Sequence, residues 1–162
     1  MKTRILYFLF IPALLFMFSC NNDDDDGVNP DPEPVKENST YKIVYKQEGN
    51  YTLAMRKLTL NETYINAKTK EEVNGTLSNH YLPDSEYTFI TKNDEKKISI
   101  DIELSWIGKV EQGDHTTVTL TVFRDGQKID EKTMKLTKVY EGLTLSKSFE
   151  YYHSTQETNS SE

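Results

Sequence analysis

The chain has very little of the chemistry that marks most enzymes. Its single cysteine, Cys20, excludes an internal disulfide and a multi-cysteine metal site. The three histidines, His80, His115 and His153, are far apart and lack the HxH or HxxxH spacing of metal ligands. No G-x-S-x-G, P-loop or G-x-G-x-x-G motif is present, so no sequence motif supports an esterase-type or a nucleotide-binding site. We therefore expect no enzyme activity, no catalytic residue, no metal ligand set and no cofactor.

Long apolar runs are also missing, apart from one at the very start of the chain. A lysine and an arginine precede the apolar residues 5–18, and a serine then precedes Cys20. A membrane-spanning helix needs about 20 apolar residues, whereas this run is shorter, contains Pro12 and leads into aspartates. Residues 1–19 are therefore predicted to be a cleaved lipoprotein signal peptide, with Cys20 as the lipidated residue. The alternative for Cys20 is a small, buried apolar side chain.

The segment that follows is acidic and rich in proline. Four consecutive aspartates stand at Asp23, Asp24, Asp25 and Asp26. Like charges repel, and a proline-rich chain spans about 3.1 Å per residue, so this segment could hold a domain about 60 Å from the lipid. Residues 20–40 are predicted to be a disordered tether in which the aspartates act as spacer and export signal. The alternative is a disordered leader without a specific role. A loose calcium site at the aspartates is less favoured, because the spaced oxygens of a calcium loop are missing.

The stretch Met17-Phe18-Ser19-Cys20, followed by two asparagines and the four aspartates, resembles the lipoproteins of Bacteroidota. The resemblance implies that Cys20 becomes the mature N-terminus and carries a diacylglycerol thioether and an amide-linked acyl chain. More than one chain anchors a protein stably, since each buried methylene contributes about 0.8 kcal/mol. It also implies an outer-membrane protein exposed at the cell surface, with the periplasmic face of that membrane as the alternative.

Most of the negative charge belongs to this tether. The formal net charge of the whole chain is −7, from 19 basic and 26 acidic residues. Without residues 1–19 two basic residues are lost and the charge is −9, but residues 21–34 contribute six of the acidic side chains. The remaining body carries a net charge of only −3. A near-neutral body of this kind has no basic surface for nucleic acid.

Short segments with alternating apolar and polar residues fill the body of the chain. The clearest is Ile98–Trp106, whose apolar side chains share one face, and no stretch shows a sustained helical period. Further strands are predicted at residues 41–46, 51–60, 63–68, 86–91, 117–122, 127–137 and 143–151. The pattern predicts a single antiparallel β-sandwich of about seven to eight strands over residues 41–152, followed by a disordered tail, 153–162. A lipocalin-like barrel is the alternative fold.

One hairpin can be predicted in detail. Asp125-Gly126 is a two-residue turn typical of a type I′ hairpin. The apolar Met134 and Leu136 of the returning strand are out of phase with the residues nearer the turn. We therefore predict a β-bulge within residues 130–133, which brings both side chains onto the inner face.

Three stretches of the body are similar to the small immunoglobulin-like sandwich of MmpS-type membrane-anchored proteins. They are Tyr41-Lys42-Ile43-Val44-Tyr45, His80-Tyr81-Leu82-Pro83, and the segment from Val118 to Ile129. The order and spacing match over most of residues 41–151. The resemblance implies an immunoglobulin-like fold and an envelope accessory domain, and it brings no catalytic residues.

Two groups of side chains deserve weighing as functional residues. Asp101 and Glu103 share one strand face at about 6.6 Å, a separation found in glycosidase carboxylate pairs. No apolar neighbour would raise one pKa, so a solvated sheet face is the better prediction. The 10 tyrosines are typical of half-buried strands, with a platform for a carbohydrate or peptide as the alternative. Trp106 is predicted to lie in the core.

The sequence thus predicts a lipid-anchored, non-enzymatic binding or interaction module of the cell envelope. Its expected partners are the membrane, through Cys20, and an envelope protein or glycan, with no role for nucleic acid. An accessory or structural subunit of an envelope assembly is one alternative, and a lipocalin-like binder of a small ligand is another.

Overall fold

The computed structural model describes residues 36–153, and the chain there is built from eight β-strands. They are β1 (Tyr41–Gly49), β2 (Ala54–Asn66), β3 (Glu72–Leu77), β4 (Glu86–Thr91), β5 (Lys97–Trp106), β6 (His115–Arg124), β7 (Gln127–Thr137) and β8 (Thr144–Tyr152). Three single-turn 3₁₀ segments lie at Tyr51–Leu53, Asn79–Tyr81 and Lys138–Tyr140. Over residues 36–153 the chain forms no helix with the length and apolarity to span a bilayer. The predicted all-β fold and its number of strands are confirmed.

The strands form one antiparallel path with the order β7-β6-β1-β4-β2-β5-β8, and β3 pairs alongside β2. Strand β2 changes partner along its length: Ala54–Leu60 pair with β5, whereas Tyr64–Asn66 pair with β4. The register between β2 and β3 shifts at this point, between Leu60 and Tyr64. Because β2 bridges two groups of strands in this way, it is the corner at which the sheet folds over.

The observed bounds of β2 and β3 differ from what the sequence suggests. Residues 51–60 and 63–68 were expected to be separate strands, but Ala54–Asn66 is one strand that bends without losing its partners. Asn74-Gly75, a pair of residues typical of turns, lies inside β3. Gly75 has φ of +73° and faces Leu60, where the register shifts, so its left-handed backbone lies opposite the start of the extra residues of β2.

Side chains bring the two ends of the sheet together. The Tyr151 hydroxyl of β8 donates to Asp130 Oδ2 of β7 at 3.0 Å, and Trp106 Nε1 donates to the Thr137 carbonyl at 2.8 Å. Arg124 Nη1 also donates to the Tyr152 carbonyl, at 2.8 Å. The sheet is therefore nearly closed into a barrel-like shape, with these bonds in place of a backbone ladder between β7 and β8.

Large side chains fill the interior of this sheet. Every second residue of β5 is buried, as its alternating sequence predicts, and Trp106 is only 9% exposed. The bulkiest fully buried residues include Tyr41, Tyr45, Tyr64 and Phe89. A core of this kind supplies the hydrophobic stabilisation of the domain without disulfides.

The hairpin of β6 and β7 has the predicted turn and a displaced bulge. Arg124 faces Gln127, and Met134 and Leu136 are buried. The register shifts between Val122 and Phe123, which leaves Ile129 as the extra residue, so the bulge lies nearer the turn than residues 130–133. The strand therefore changes phase as soon as it leaves the turn, before the predicted position.

Candidate functional site

Two loops and the segment 36–40, which precedes β1, meet at one end of the sheet. Residues 36–40, which the sequence assigned to the tether, pack on the domain, and Ser39 is completely buried. Ser39 and Glu95 exchange two backbone hydrogen bonds, at 2.9 and 2.8 Å. The β4–β5 loop, which contains Asp94, and the β6–β7 turn, which contains Asp125, lie beside this segment. We call the group Lys36, Thr40, Asp94 and Asp125 the tether-end site.

Both aspartates of the tether-end site contact the same ammonium group. Lys36 Nζ lies 3.0 Å from Asp125 Oδ1 and 3.3 Å from Asp94 Oδ2. The carboxylates come from loops that are far apart in the sequence, and one positive charge bridges them. All three side chains are 41–54% exposed, so solvent screens the two ion pairs and limits their contribution to stability.

Thr40 connects the same two loops through its backbone and its hydroxyl. Its backbone N–H donates to Asp125 Oδ1 at 3.0 Å, and its carbonyl accepts from the Asp125 N–H at 2.9 Å. The Thr40 hydroxyl donates to Asp94 Oδ1. Asp125 has φ of +48° and Gly126 of +83°, the left-handed pair of a type I′ turn, which aims the Asp125 carboxylate at the incoming chain.

These contacts lower the pKa of both carboxyl groups. Burial alone would raise the pKa of Asp125, but hydrogen bonds from Ser39, Lys36 and the Thr40 backbone lower it to about 2. The pKa of Asp94 is lowered by the Thr40 hydroxyl and then by Lys36. Both groups are therefore carboxylates at neutral pH, ready to hold a cation.

Glu62 lies near the same end and behaves differently. Burial raises its pKa, although the Ser99 N–H and the Tyr64 hydroxyl both donate to its carboxylate. The hydrogen bonds compensate only part of the cost of removing this charge from water. Glu62 is thus a destabilised carboxylate rather than a well-paired one.

The other residues weighed in the sequence do not meet in one place. His153 Nδ1 lies 2.6 Å from the Ser39 hydroxyl, whereas His80 belongs to a 3₁₀ segment and His115 begins β6. Glu103 pairs with Lys57 at 3.0 Å, and the Asn61 side chain reaches Asp101 at 3.5 Å. The two carboxylates therefore have cross-strand partners on the outer side of the sheet.

The predicted lipidation residue Cys20 and the predicted export signal Asp23 to Asp26 lie outside the described residues. From the sequence, Asp125 was identified only as a turn residue and Asp94 was not singled out. The available signal was an aspartate in each of two turn motifs, Asn93-Asp94 and Asp125-Gly126. Nothing in the sequence indicated that these two turns meet Lys36.

Comparison with known proteins places the chain in a family. Residues 3–149 match the family described as "PLAT/LH2 and C2-like Ca2+-binding lipoprotein". The chain belongs to this family of lipoproteins. Membership supports the expected Bacteroidota-type lipoprotein at the level of a membrane-anchored envelope protein. No functionally curated protein matches the chain.

Three solved structures share the fold. The calcium-bound form of a protein from Parabacteroides distasonis, solved by NMR, has a TM-score of 0.60 at 18% identity, covering 75% of this chain and 98% of its own. A domain of unknown function from Bacteroides vulgatus has a TM-score of 0.57 at 16% identity, with coverages of 74% and 98%. A DUF4425 protein from Bacteroides ovatus has a TM-score of 0.56 at 12% identity, with coverages of 70% and 94%. The resemblance to MmpS-type proteins stays a prediction.

Because the family is described as calcium-binding, we asked whether the tether-end site has suitable donor atoms for a cation. Ca²⁺ prefers hard oxygen ligands, and the site offers two carboxylates and a hydroxyl oxygen. The Asn38 Oδ1 atom beside them in the chain is buried and has no hydrogen-bond partner. Over residues 36–153 no three His, Cys, Asp or Glu side chains form a ready-made metal cluster. The donor chemistry therefore fits calcium, with few charged ligands.

Proposed function

We propose that this protein is a non-enzymatic lipoprotein, anchored in the outer membrane through Cys20, that binds calcium at the tether-end site. The observation that carries the proposal is the convergence of Asp94 and Asp125 on one cation, Lys36 Nζ. Support also comes from the family description and from the calcium-bound structural neighbour. From the sequence alone we expected no metal site, whereas the proposal places calcium at the tether-end site, and calcium titration distinguishes the two.

The Lys36 ammonium acts in this proposal as an internal counter-ion. It neutralises the two carboxylates when calcium is scarce, and its flexible stem allows it to leave at little cost because it is 54% exposed. Calcium would be held by Asp94 and Asp125, with oxygens of Thr40 and Asn38. A site with two carboxylates belongs among weak, extracellular-type sites, with Kd between about 10⁻⁴ and 10⁻³ M.

Calcium titration of the full chain in detergent micelles tests the site. Free calcium at ten times Kd should stabilise the folded state by about 1.4 kcal/mol, measured by thermal unfolding. Mg²⁺ should act more weakly, since it demands octahedral geometry and dehydrates reluctantly. The double variant Asp94→Asn, Asp125→Asn should lose the calcium effect. Stabilisation that persists in this variant would place the ion elsewhere and overturn the proposed site.

The role of Lys36 has its own matched pair of variants. Lys36→Met removes the competing ammonium and should raise the calcium affinity several-fold. Lys96→Met is the control, because Lys96 is also an exposed lysine at this end but pairs with Glu37 at 3.0 Å. Equal affinities in the two variants would contradict the counter-ion role.

The anchor is tested separately from calcium. Cys20→Ala should release the protein from the membrane fraction, because the thioether can no longer form. Detergent partitioning that does not change would refute lipidation at this residue. Cys20→Ser also removes the thiol but nearly keeps the size of the side chain, and it should be released in the same way.

Cell-surface display is tested with the acidic run. Replacement of Asp23, Asp24, Asp25 and Asp26 by asparagine should reduce the cleavage of the domain by protease added to intact cells. Replacement of the four residues by glutamate keeps the charge and should preserve cleavage. If the asparagine variant is fully accessible, the acidic run is a spacer only. If the unchanged protein resists protease on intact cells but not on lysed cells, it faces the periplasm.

A further inference from the structure

A groove lined by aromatic side chains lies beside β3 and β4, apart from the residues of the tether-end site. Its first part is a cleft of about 270 Å³, whose walls include Tyr81, Tyr87 and Phe89. Its second part, of about 510 Å³, follows β3. Both parts share four lining residues, Glu71, Val73, Leu77 and Tyr81. We call the two parts together the aromatic groove, and its continuity suits an elongated ligand.

The aromatic rings are held in fixed orientations. Tyr87 and Phe89 are nearly parallel, with an interplanar angle of 5° and centroids 6.1 Å apart. His80 meets Tyr81 edge to face at 79°, with centroids 5.0 Å apart. Tyr81 is nevertheless 63% exposed, so most of its ring is open to a ligand. It offers a flat apolar surface at the junction of the two clefts.

Polar groups of both kinds surround these rings. Asn66 Oδ1 accepts from the backbone N–H groups of Lys68 and Thr69, at 2.9 and 3.3 Å, and these two bonds do not use the donors of its amide nitrogen. Glu71 and Asp84 add carboxylate acceptors to the same lining. Fixed donors and acceptors next to an apolar wall are the usual composition of a small-molecule site.

The charges of the groove exclude an anionic ligand. Lys68, the only lysine or arginine of the two linings, is already engaged with Asp84 at 2.7 Å. Carboxylates outnumber it, because Glu71 and Glu72 also line the groove. A ligand that suits these walls has apolar faces and many hydroxyls, and carries no negative charge.

A buried cation holds the loop that carries Tyr81. Arg56 is 3% exposed, and its Nη1 donates to Gln47 Oε1 at 2.6 Å and to the Leu82 carbonyl at 3.0 Å. Gln47 Nε2 donates to the same carbonyl at 3.0 Å. Leu82 is completely buried directly after the exposed Tyr81, so the loop has a fixed position before any ligand arrives.

From these contacts we propose that the aromatic groove binds a neutral oligosaccharide. The C–H face of a pyranose ring packs on the Tyr81 ring, and the hydroxyls at its rim exchange hydrogen bonds with Asn66 and Glu71. The two adjoining clefts accommodate neighbouring sugar units. This site is independent of the calcium site and requires neither Asp94 nor Asp125.

Titration of the ¹⁵N-labelled full chain with neutral trisaccharides tests the proposal. The protein is kept in a detergent without a sugar headgroup, and EDTA is present to separate this test from calcium binding. The probes are mannotriose, maltotriose, galactotriose and chitotriose, with trigalacturonate as the anionic comparison. At least one neutral probe should shift the amide signals of Asn66 and Tyr81 saturably, with Kd near about 1 mM.

Two tyrosine variants decide where the sugar binds. Tyr81→Ala should weaken binding about tenfold, through the loss of a stacking surface. Tyr152→Ala is the matched control, because Tyr152 is 57% exposed but lies on β8 and lines neither cleft. Both variants should unfold at the temperature of the parent within a few degrees. Absence of saturable shifts for all four neutral probes, equal losses in the two variants, or tighter binding of trigalacturonate would overturn the proposal.

Discussion

The tether-end site and the aromatic groove lie on the same sheet but differ in which segments form them and in how exposed their charged groups are. The tether-end site joins three segments that are distant in the sequence, and its ion pairs are exposed to solvent. The aromatic groove comes mainly from the continuous segment 66–89, and a buried arginine holds its loop. An exposed ion pair contributes little stability, whereas removing a buried donor leaves its acceptors unsatisfied and costs much more.

The two sites therefore depend on folding to different degrees. Removing a carboxylate from the tether-end site should mainly change cation binding and the response to acid. Removing the support beneath the groove should unfold a loop.

Arg56→Met should have the largest effect and should damage the groove alone. The variant leaves Gln47 Oε1 and the Leu82 carbonyl without a charged donor, at a cost of about 2–4 kcal/mol. Chemical denaturation measures the loss, and NMR should show the Tyr81 amide signal displaced while that of Asp125 is unchanged. Lys57→Met is the control on the neighbouring, outward position of β2, where Lys57 is 43% exposed, and it should cost less than about 1 kcal/mol. Equal losses in both variants would refute the supporting role of Arg56.

Asp125→Asn should flatten the response of the protein to acid. The folded-state pKa of Asp125, about 2, is below its ordinary value of 3.8, so its stabilising effect is present above about pH 4 and is lost as the pH falls towards 2. Because the side chain is 41% exposed, we expect a pH-dependent contribution of only about 1 kcal/mol. Asparagine accepts the left-handed backbone of this turn, which keeps the hairpin intact. Superimposable acid-unfolding curves for parent and variant would contradict this expectation.

Glu62→Gln should stabilise the protein slightly at neutral pH. The pKa of Glu62 is raised by burial, so ionisation costs more in the folded state and stability falls as the pH rises through that pKa. Glutamine keeps an oxygen that can accept from Ser99 and removes the charge. We expect a gain of about 0.5 kcal/mol at pH 7 and none at pH 3. A loss at both pH values would show that the hydrogen bonds to Glu62 outweigh its desolvation.

Cross-effects between the two sites should be close to zero. Tyr81→Ala should leave calcium stabilisation unchanged, and Asp125→Asn should leave sugar binding unchanged, because the two sites share no residue. The double variant should therefore be additive within about 0.5 kcal/mol in denaturation experiments. A larger coupling energy would mean that the corner strand β2 links the sites.

Much of the fold could be predicted from strand patterns. The alternation of Ile98–Trp106 indicated a strand buried on one face, and Asp125-Gly126 indicated the hairpin turn. The bend within β2 could not be predicted, because the polar residues 61–63 resemble a loop when read locally. They remain part of one strand since β3, β4 and β5 all pair with it.

The candidate sites were less accessible to sequence reasoning. A tyrosine platform was weighed, but the exposure of Tyr81 depends on Leu82 being drawn inward by its packing and by hydrogen bonds to its carbonyl from Arg56 and Gln47. Likewise, Asp94 and Asp125 become neighbours only because β4 and β6 both pair with β1 and both end beside the start of β1.

Several properties can be read directly from the amino-acid sequence: the alternation of strand residues, the turn chemistry, the near-neutral charge of the body and the lipidation expected at Cys20. These properties are local, since each depends on residues within a few positions of one another. In contrast, the bridging of two aspartates by Lys36 and the exposure of Tyr81 next to a loop held by a buried arginine arise only when the chain folds. Both depend on strand pairing between distant segments, and a pairing register is a property of the whole sheet.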